Sequence, residues 1–163
     1  MAIDKAVVNI SASLLPDEIK TSVGANIVYD LNDVGNNNKW IYSLTIINNA
    51  NEDAILASIP FLGQGTTEQG STATSNGTDD VVFFFIKHTG TRDGSTSSSD
   101  KLFLNLSGGD PSSGGSVGDI IIEPNECFFA RLSNTEIDDI NVEADGSSNI
   151  QAMVFAIIDD GGV

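Results

Sequence analysis

Apolar and polar residues alternate along much of this chain with a period of two. Val8, Ile10, Ala12 and Leu14 are separated by Asn9, Ser11 and Ser13. Leu102, Leu104 and Leu106 alternate with Lys101, Phe103 and Asn105, and Ile140, Val142 and Ala144 with Asp139, Asn141 and Glu143. Successive side chains of a strand point to opposite sides, so this pattern predicts half-buried strands with one wet face. Further short apolar runs at 25–30, 40–47, 54–59, 81–87, 119–122, 127–132 and 150–158 bring the total to about ten strands, the number of a sandwich or barrel. The one helical signal, Leu15-Pro16-Asp17-Glu18-Ile19, is too short for more than a turn and reads as a corner between strands.

Two runs break the half-wet rule. Val81-Val82-Phe83-Phe84-Phe85-Ile86 is apolar on both faces. So is 150–158, where Met153, Phe155 and Ile157 alternate with Ala152, Val154, Ala156 and Ile158. An antiparallel sheet packed on a core needs only one apolar face. The other must be covered by a loop, a corner or another subunit, because an exposed Phe-rich strand is an aggregation site. The pattern therefore predicts self-association through Phe83, Phe85, Met153 and Phe155. The alternative cover is the chain's own loops at 63–78, 89–100 and 107–118, all rich in Gly, Ser and Thr. Each is near or above the length at which structureless loops become uncommon in compact domains. No linker divides the chain, so a single all-β domain over 1–163, an antiparallel β-sandwich, is expected.

Charge narrows the partners. The 163 residues include 23 Asp and Glu against 7 Lys and Arg, a formal net charge of −16. Nucleic-acid affinity rests on cation–phosphate contacts, so neither DNA nor RNA is an expected partner. Anionic membrane surfaces are disfavoured in the same way, and no apolar stretch is long enough to cross a bilayer as a helix. A protein with a basic face fits, as does acidity that serves solubility. The one cysteine, Cys127, excludes an intramolecular disulfide and, in its apolar run, is expected as a small buried hydrophobe. The N-terminus lacks the basic-then-apolar pattern of a signal peptide, so the sequons at Asn9, Asn76 and Asn105 read as chance matches and synthesis in a cytoplasm is expected.

Catalytic chemistry is thinly supplied. His88 is the sole histidine, which removes His-rich metal sites. With Asp93 and one of Ser95 to Ser99 it has the residue types of a triad, but its Gly-rich loop has no nucleophile-elbow pattern. The stretch beginning Asp30-Leu31-Asn32-Asp33 fails as an EF-hand, with Val34 and Ile41 where ligands are needed. The pairs Asp79-Asp80, Asp138-Asp139 and Asp159-Asp160 leave room for an adventitious calcium. No metal, cofactor or catalytic residue is expected, and the chain reads as no enzyme. Trp40, the only tryptophan, is expected in the core.

Several stretches together resemble one group of proteins. They are Leu14-Leu15-Pro16-Asp17-Glu18-Ile19-Lys20, Tyr29-Asp30-Leu31-Asn32-Asp33, Lys39-Trp40-Ile41-Tyr42 and Phe85-Ile86-Lys87-His88-Thr89-Gly90-Thr91. Ile121-Ile122-Glu123-Pro124-Asn125-Glu126, Arg131-Leu132-Ser133-Asn134-Thr135 and the closing Val154-Phe155-Ala156-Ile157-Ile158-Asp159-Asp160 complete the set. The chain resembles the capsid decoration, or cement, proteins of tailed bacteriophages. One departure is Pro124-Asn125-Glu126, where such sandwiches often carry Pro-Gly-Glu; Asn tolerates the positive φ of a type II turn.

The resemblance implies a jelly-roll sandwich, a homotrimer, and a place on the outside of a virion bound to the major capsid protein. It implies a shell contact by the segment near Leu14, Leu15 and Pro16, by the long loops, and by a less acidic surface near Lys87, Arg92 and Lys101. Two readings stand beside it. One is another head or tail component. The other is a carbohydrate- or host-binding module, which needs Trp40 or Phe61 exposed beside Asn and Asp.

Overall fold

The period-two pattern resolves into antiparallel pairing throughout. A computed structural model describes residues 5–14, 21–30, 39–48, 53–56, 61–62, 72–73, 78–109, 111, 120–146 and 148–159. Its strands are β1 (Lys5–Leu14), β2 (Thr21–Asp30), β3 (Lys39–Ile47), β4 (Asp53–Ala54), β5 (Phe61–Leu62) and β6 (Thr72–Ala73), then β7 (Asp80–His88), β8 (Leu102–Asn105), β9 (Ile120–Ile122), β10 (Cys127–Arg131), β11 (Asn141–Ala144) and β12 (Ile150–Asp159). A single 3-10 turn, Ile137–Asp139, precedes β11.

The strands form a large sheet in the order β10-β7-β12-β3-β5-β6 and a small sheet in the order β4-β11-β8-β9. β1 and β2 pair along their full length as a separate two-stranded sheet. The all-β expectation holds. Most strands lie within a residue or two of the apolar runs that predicted them. The exceptions are β1 and β2, which begin three and four residues before their runs, β4, which takes only Ala54 of its run, β5, which no run predicted, and β6, which falls inside 63–78, a stretch expected to be loop.

One cluster of buried apolar side chains takes members from both the large and the small sheet. From the large sheet come Ile41, Ile47, Val81, Phe84, Ile86, Val154 and Ile158. From the small sheet come Leu102, Leu104, Ile122, Val142 and Ala144, with Leu56, Ile137 and Ile140 from the connections. Alternation then fixes what lies on the far side of each sheet. In β12, Ala152, Val154 and Ala156 point into the cluster, so Met153, Phe155 and Ile157 point away from it.

A bulge allows β7 to bury residues of both parities. The β7–β12 register shifts between Ile157 and Ile158, which pair with Phe83 and Val81 and leave Val82 as the extra residue. Val81 thereby joins Phe84 and Ile86 on the inner side. Phe83 and Phe85 fall on the outer side.

Two sequence expectations are corrected here. Cys127 is exposed, not buried. It begins β10, which lies at the end of the sheet and turns its odd-numbered side chains outward. Trp40 is half-buried on the outer face of β3, opposite Ile157, while its neighbour Ile41 enters the core. The corner at Leu15, Pro16 and Ile19 lies outside the described residues, as does most of the failed calcium loop after Asp30.

Candidate interaction surface

The outer face of the large sheet is apolar over four adjacent strands, with the Asp80–Asp159 pair confined to one end of β7 and β12. β3 contributes Trp40, Tyr42, Leu44 and Ile46, and β12 contributes Gln151, Met153, Phe155 and Ile157. β7 contributes Phe83, Phe85 and Lys87, and the edge strand β10 contributes Cys127, Phe129 and Arg131. Cross-strand register sets Phe129, Phe85, Phe155 and Tyr42 in one row across the sheet. From Trp40 to Ile46 in β3, Phe83 to Lys87 in β7, Cys127 to Arg131 in β10 and Gln151 to Ile157 in β12 no residue is Asp or Glu, in a chain that carries 23 of them.

Exposure is graded across the face. Phe83 and Ile157 are each 1% exposed, although neither belongs to the inner cluster. The Phe83 and Phe155 rings meet at 5.9 Å between centroids with a 60° tilt, an edge-biased aromatic contact. Phe85, Phe155, Met153 and Lys87 are half-buried. Tyr42 (57%), Leu44 (54%), Ile46 (46%) and Phe129 (38%) stand open to water. If each full side chain presents about 200 Å², these four alone leave roughly 400 Å² of surface exposed. A single patch of that size reaches the range of the largest apolar patches on monomeric proteins, which are often functional.

The structure thus gathers two sets of candidate residues that the sequence kept apart. Phe85, Met153 and Phe155, expected at a subunit contact, share one face with Lys87, expected at a shell contact. Phe83 lies on the same face, in the neighbouring row with Arg131, Ile157 and Trp40, but beneath the surface. Arg92 is elsewhere, half-buried in the loop beyond β7. Leu14 ends β1 in the separate two-stranded sheet, and Leu15 and Pro16 lie outside the described residues. The ridge of Tyr42, Leu44 and Ile46 was missed. Its signal was present: in 40–47 the even positions are all large and apolar, and so are Ile41 and Ile47 at the ends of the odd set.

The loop beyond β7 is closed by its own polar groups. His88 is fully buried at the inner end of β7. Its Nδ1 accepts the Gly90 N–H at 2.9 Å, so the ring proton is on Nε2, which donates to the Asp100 carbonyl at 3.0 Å. Both ring nitrogens are therefore committed to backbone. The Asp93 carboxylate accepts from the N–H and hydroxyl groups of Ser95 and Thr96, at 2.7–3.0 Å. Those bonds, led by the Thr96 N–H, hold its carboxyl well below the usual carboxylate range. The residue types of a triad are present here, but each is bound into the loop's own folding.

Gly90 has φ +80°, and a Cβ there would lie 2.4 Å from Asn125 Oδ1, so only glycine lets the loop meet the β9–β10 turn. That turn is closed by the Glu126 N–H donating to the Glu123 carbonyl at 3.0 Å, with Asn125 at φ 71°. Asn125 takes the positive φ that a type II turn demands. Among the described residues, no three His, Cys, Asp or Glu side chains gather as a cation site. No protein-family model, curated protein or solved structure matches this chain.

Proposed function

We propose that this chain is a non-enzymatic structural protein that docks on the outer surface of a tailed-bacteriophage capsid and stabilises the assembled shell, with its two main sheets forming a jelly-roll sandwich. The observation that carries the reading is the apolar outer face of the large sheet, acid-free from Phe83 to Lys87 and from Gln151 to Ile157. A chain of net charge −16 has few surfaces where a protein partner can approach without burying carboxylates, and burying an unpaired carboxylate costs several kcal/mol. This face is such a surface, and its two cations, Lys87 and Arg131, suit an acidic rim on the partner. A protein that binds only the assembled shell stabilises it by RT ln(1 + [L]/Kd), with no chemical step.

The face also favours a protein over a sugar. Sugar sites set aromatic rings beside Asn, Asp or other hydroxyl-binding groups. Here Trp40 and Tyr42 have Leu44, Phe155 and Ile157 as neighbours along and across the sheet.

The test is co-sedimentation with expanded empty heads of the phage whose genome carries the gene. The wild-type chain is expected to sediment saturably at a fixed ratio to the major capsid protein. Leu44→Asp, at an open position, is expected to weaken binding at least ten-fold, about 1.4 kcal/mol. Wild-type protein that stays in the supernatant overturns the reading.

A further inference from the structure

We infer that two copies of this chain join edge to edge through β10, in an antiparallel pair with a two-fold axis at Phe129. Among the described residues the backbone of β10 is used on one side only. His88 donates its N–H to the Glu126 carbonyl and the Leu132 N–H donates to the Val82 carbonyl, both at 3.0 Å. The even-numbered residues of this stretch therefore bond to β7. Strand alternation turns the N–H and C=O groups of Cys127, Phe129 and Arg131 to the opposite edge. Among the described residues no strand takes that edge.

The other end strands of the two main sheets are short: β4 and β6 have two residues and β9 has three. Short edges are a standard protection against further pairing. β10 has five residues and carries no Pro, Gly, Lys or bulge. Among the described end strands of the two main sheets, it is the one with the length and flatness to accept another.

The sequence of β10 suits a second copy of itself. From Cys127 to Leu132 there is one cation and no acid, in a chain whose net charge of −16 opposes self-association elsewhere. A two-fold at Phe129 sets Cys127 against Arg131 of the second copy and Phe129 against its own twin. The pairing is isologous, so every contact is made twice. It covers the exposed Phe129 ring with another aromatic and sets no like charges directly opposite each other. The two outer faces then form one continuous surface. In that respect the inference rests on the docking role proposed above, since two linked faces bind a repeating shell with avidity. A two-fold pair also differs from the homotrimer that the sequence resemblance implies.

The experiment measures the solution mass of the full chain by light scattering and sedimentation equilibrium. A dimer with Kd of about 10 μM or tighter is expected, and Phe129→Asp is expected to weaken it at least ten-fold. Added salt should tighten the dimer by screening the repulsion between acidic chains.

Register is tested by disulfide capture in a Cys127→Ser background. Directly opposed residues in a hydrogen-bonded pair lie about 5.5 Å apart at Cα, within disulfide reach. Phe129→Cys should oxidise to a covalent dimer far faster than Ser95→Cys on the exposed loop. A wild-type monomer at about 100 μM overturns the pairing. So does a trimer, or capture at Ser95→Cys that matches Phe129→Cys. Mass reports the pairing and co-sedimentation with heads reports the docking, so either fails without the other.

Discussion

The two main sheets turn very different outer faces away from their shared core. On the small sheet the outward positions of β8 and β11 include Asn105, Asn141 and Glu143, and the chain's own next segment closes over them. Asn105 Oδ1 accepts from the Ser107 N–H, the Ser107 hydroxyl and the Gly109 N–H at 2.8–3.2 Å. Asn141 Nδ2 donates to the Gly109 carbonyl at 3.2 Å. Asn105 is consequently 9% exposed; Glu143 is 8% exposed, and its buried Oε2 has no hydrogen-bond partner among the described residues. On the large sheet the outward positions are mostly aromatic and aliphatic, yet Tyr42 and Leu44 remain more than half exposed. The covered part of the small sheet's outer side is polar, although Ile121 on that side is 52% exposed, and the open face of the large sheet is apolar, the reverse of what burial alone would arrange. A loop can close over a polar face because hydrogen bonds compensate its buried backbone. An apolar face offers a loop's N–H and C=O groups no partners. It is better matched by another folded surface, and that is the physical reason to read it as an interface.

The largest expected effect lies within the open face itself. Phe83 and Tyr42 belong to the same side of the same sheet, at 1% and 57% exposure. Phe83→Ala is expected to cost about 3–5 kcal/mol, since it empties a fully enclosed aromatic site. Tyr42→Ser is expected to stay within about 0.5 kcal/mol of wild type. Urea unfolding of both variants reads the difference. Similar losses would mean that the Tyr42 ridge is covered in the free chain, and the contrast between the two faces would break.

A smaller effect tests the closed face. Asn105→Ala leaves the Ser107 and Gly109 N–H groups without their acceptor and is expected to cost about 1–3 kcal/mol. Hydrogen exchange at Ser107 and Gly109 should accelerate beyond what the global loss explains. If exchange there is unchanged, these bonds do not close the face.

Which of this was legible in the sequence follows from how each feature is encoded. Strands such as β7 and β12 were legible because period-two alternation or a dense apolar run is local information. The doubly apolar character of 81–86 and 150–158 was legible too, and it pointed to an outer face in need of cover. The phase of a strand was harder to read. Cys-Phe-Phe-Ala-Arg is apolar at four consecutive positions, so nothing local says that Phe128 and Ala130 face β7's inner side while Cys127 and Phe129 face water. Only the pairing with β7 sets it. Trp40 was assigned to the core by residue type, although one step of phase moves it to the outside. Two-residue strands such as β6 carry no periodicity at all. The joining of Lys87 to Phe85, Met153 and Phe155 is a property of register between strands far apart in sequence.

The smallest effect concerns the loop beyond β7, where polar closure occurs without burial. Asp93 is fully exposed, yet four donors from Ser95 and Thr96 stabilise its charged form. Its folded pKa lies below its ordinary value of 3.8. The sign follows: the contribution to stability is present above 3.8 and is lost only as pH falls through the lower, folded value. A carbon-detected NMR titration should therefore find the Asp93 carboxyl still ionised as pH passes 3.8, and Ser95→Ala with Thr96→Val should return its midpoint toward that value. The same pair of substitutions should leave exchange at Ser107 and Gly109 unchanged, because the two closures share no residue. A midpoint of 3.8 in the wild-type chain would mean that the Asp93 bonds do not persist in solution. It would also remove a case in which side chains order an exposed loop without any sheet beneath it to cover.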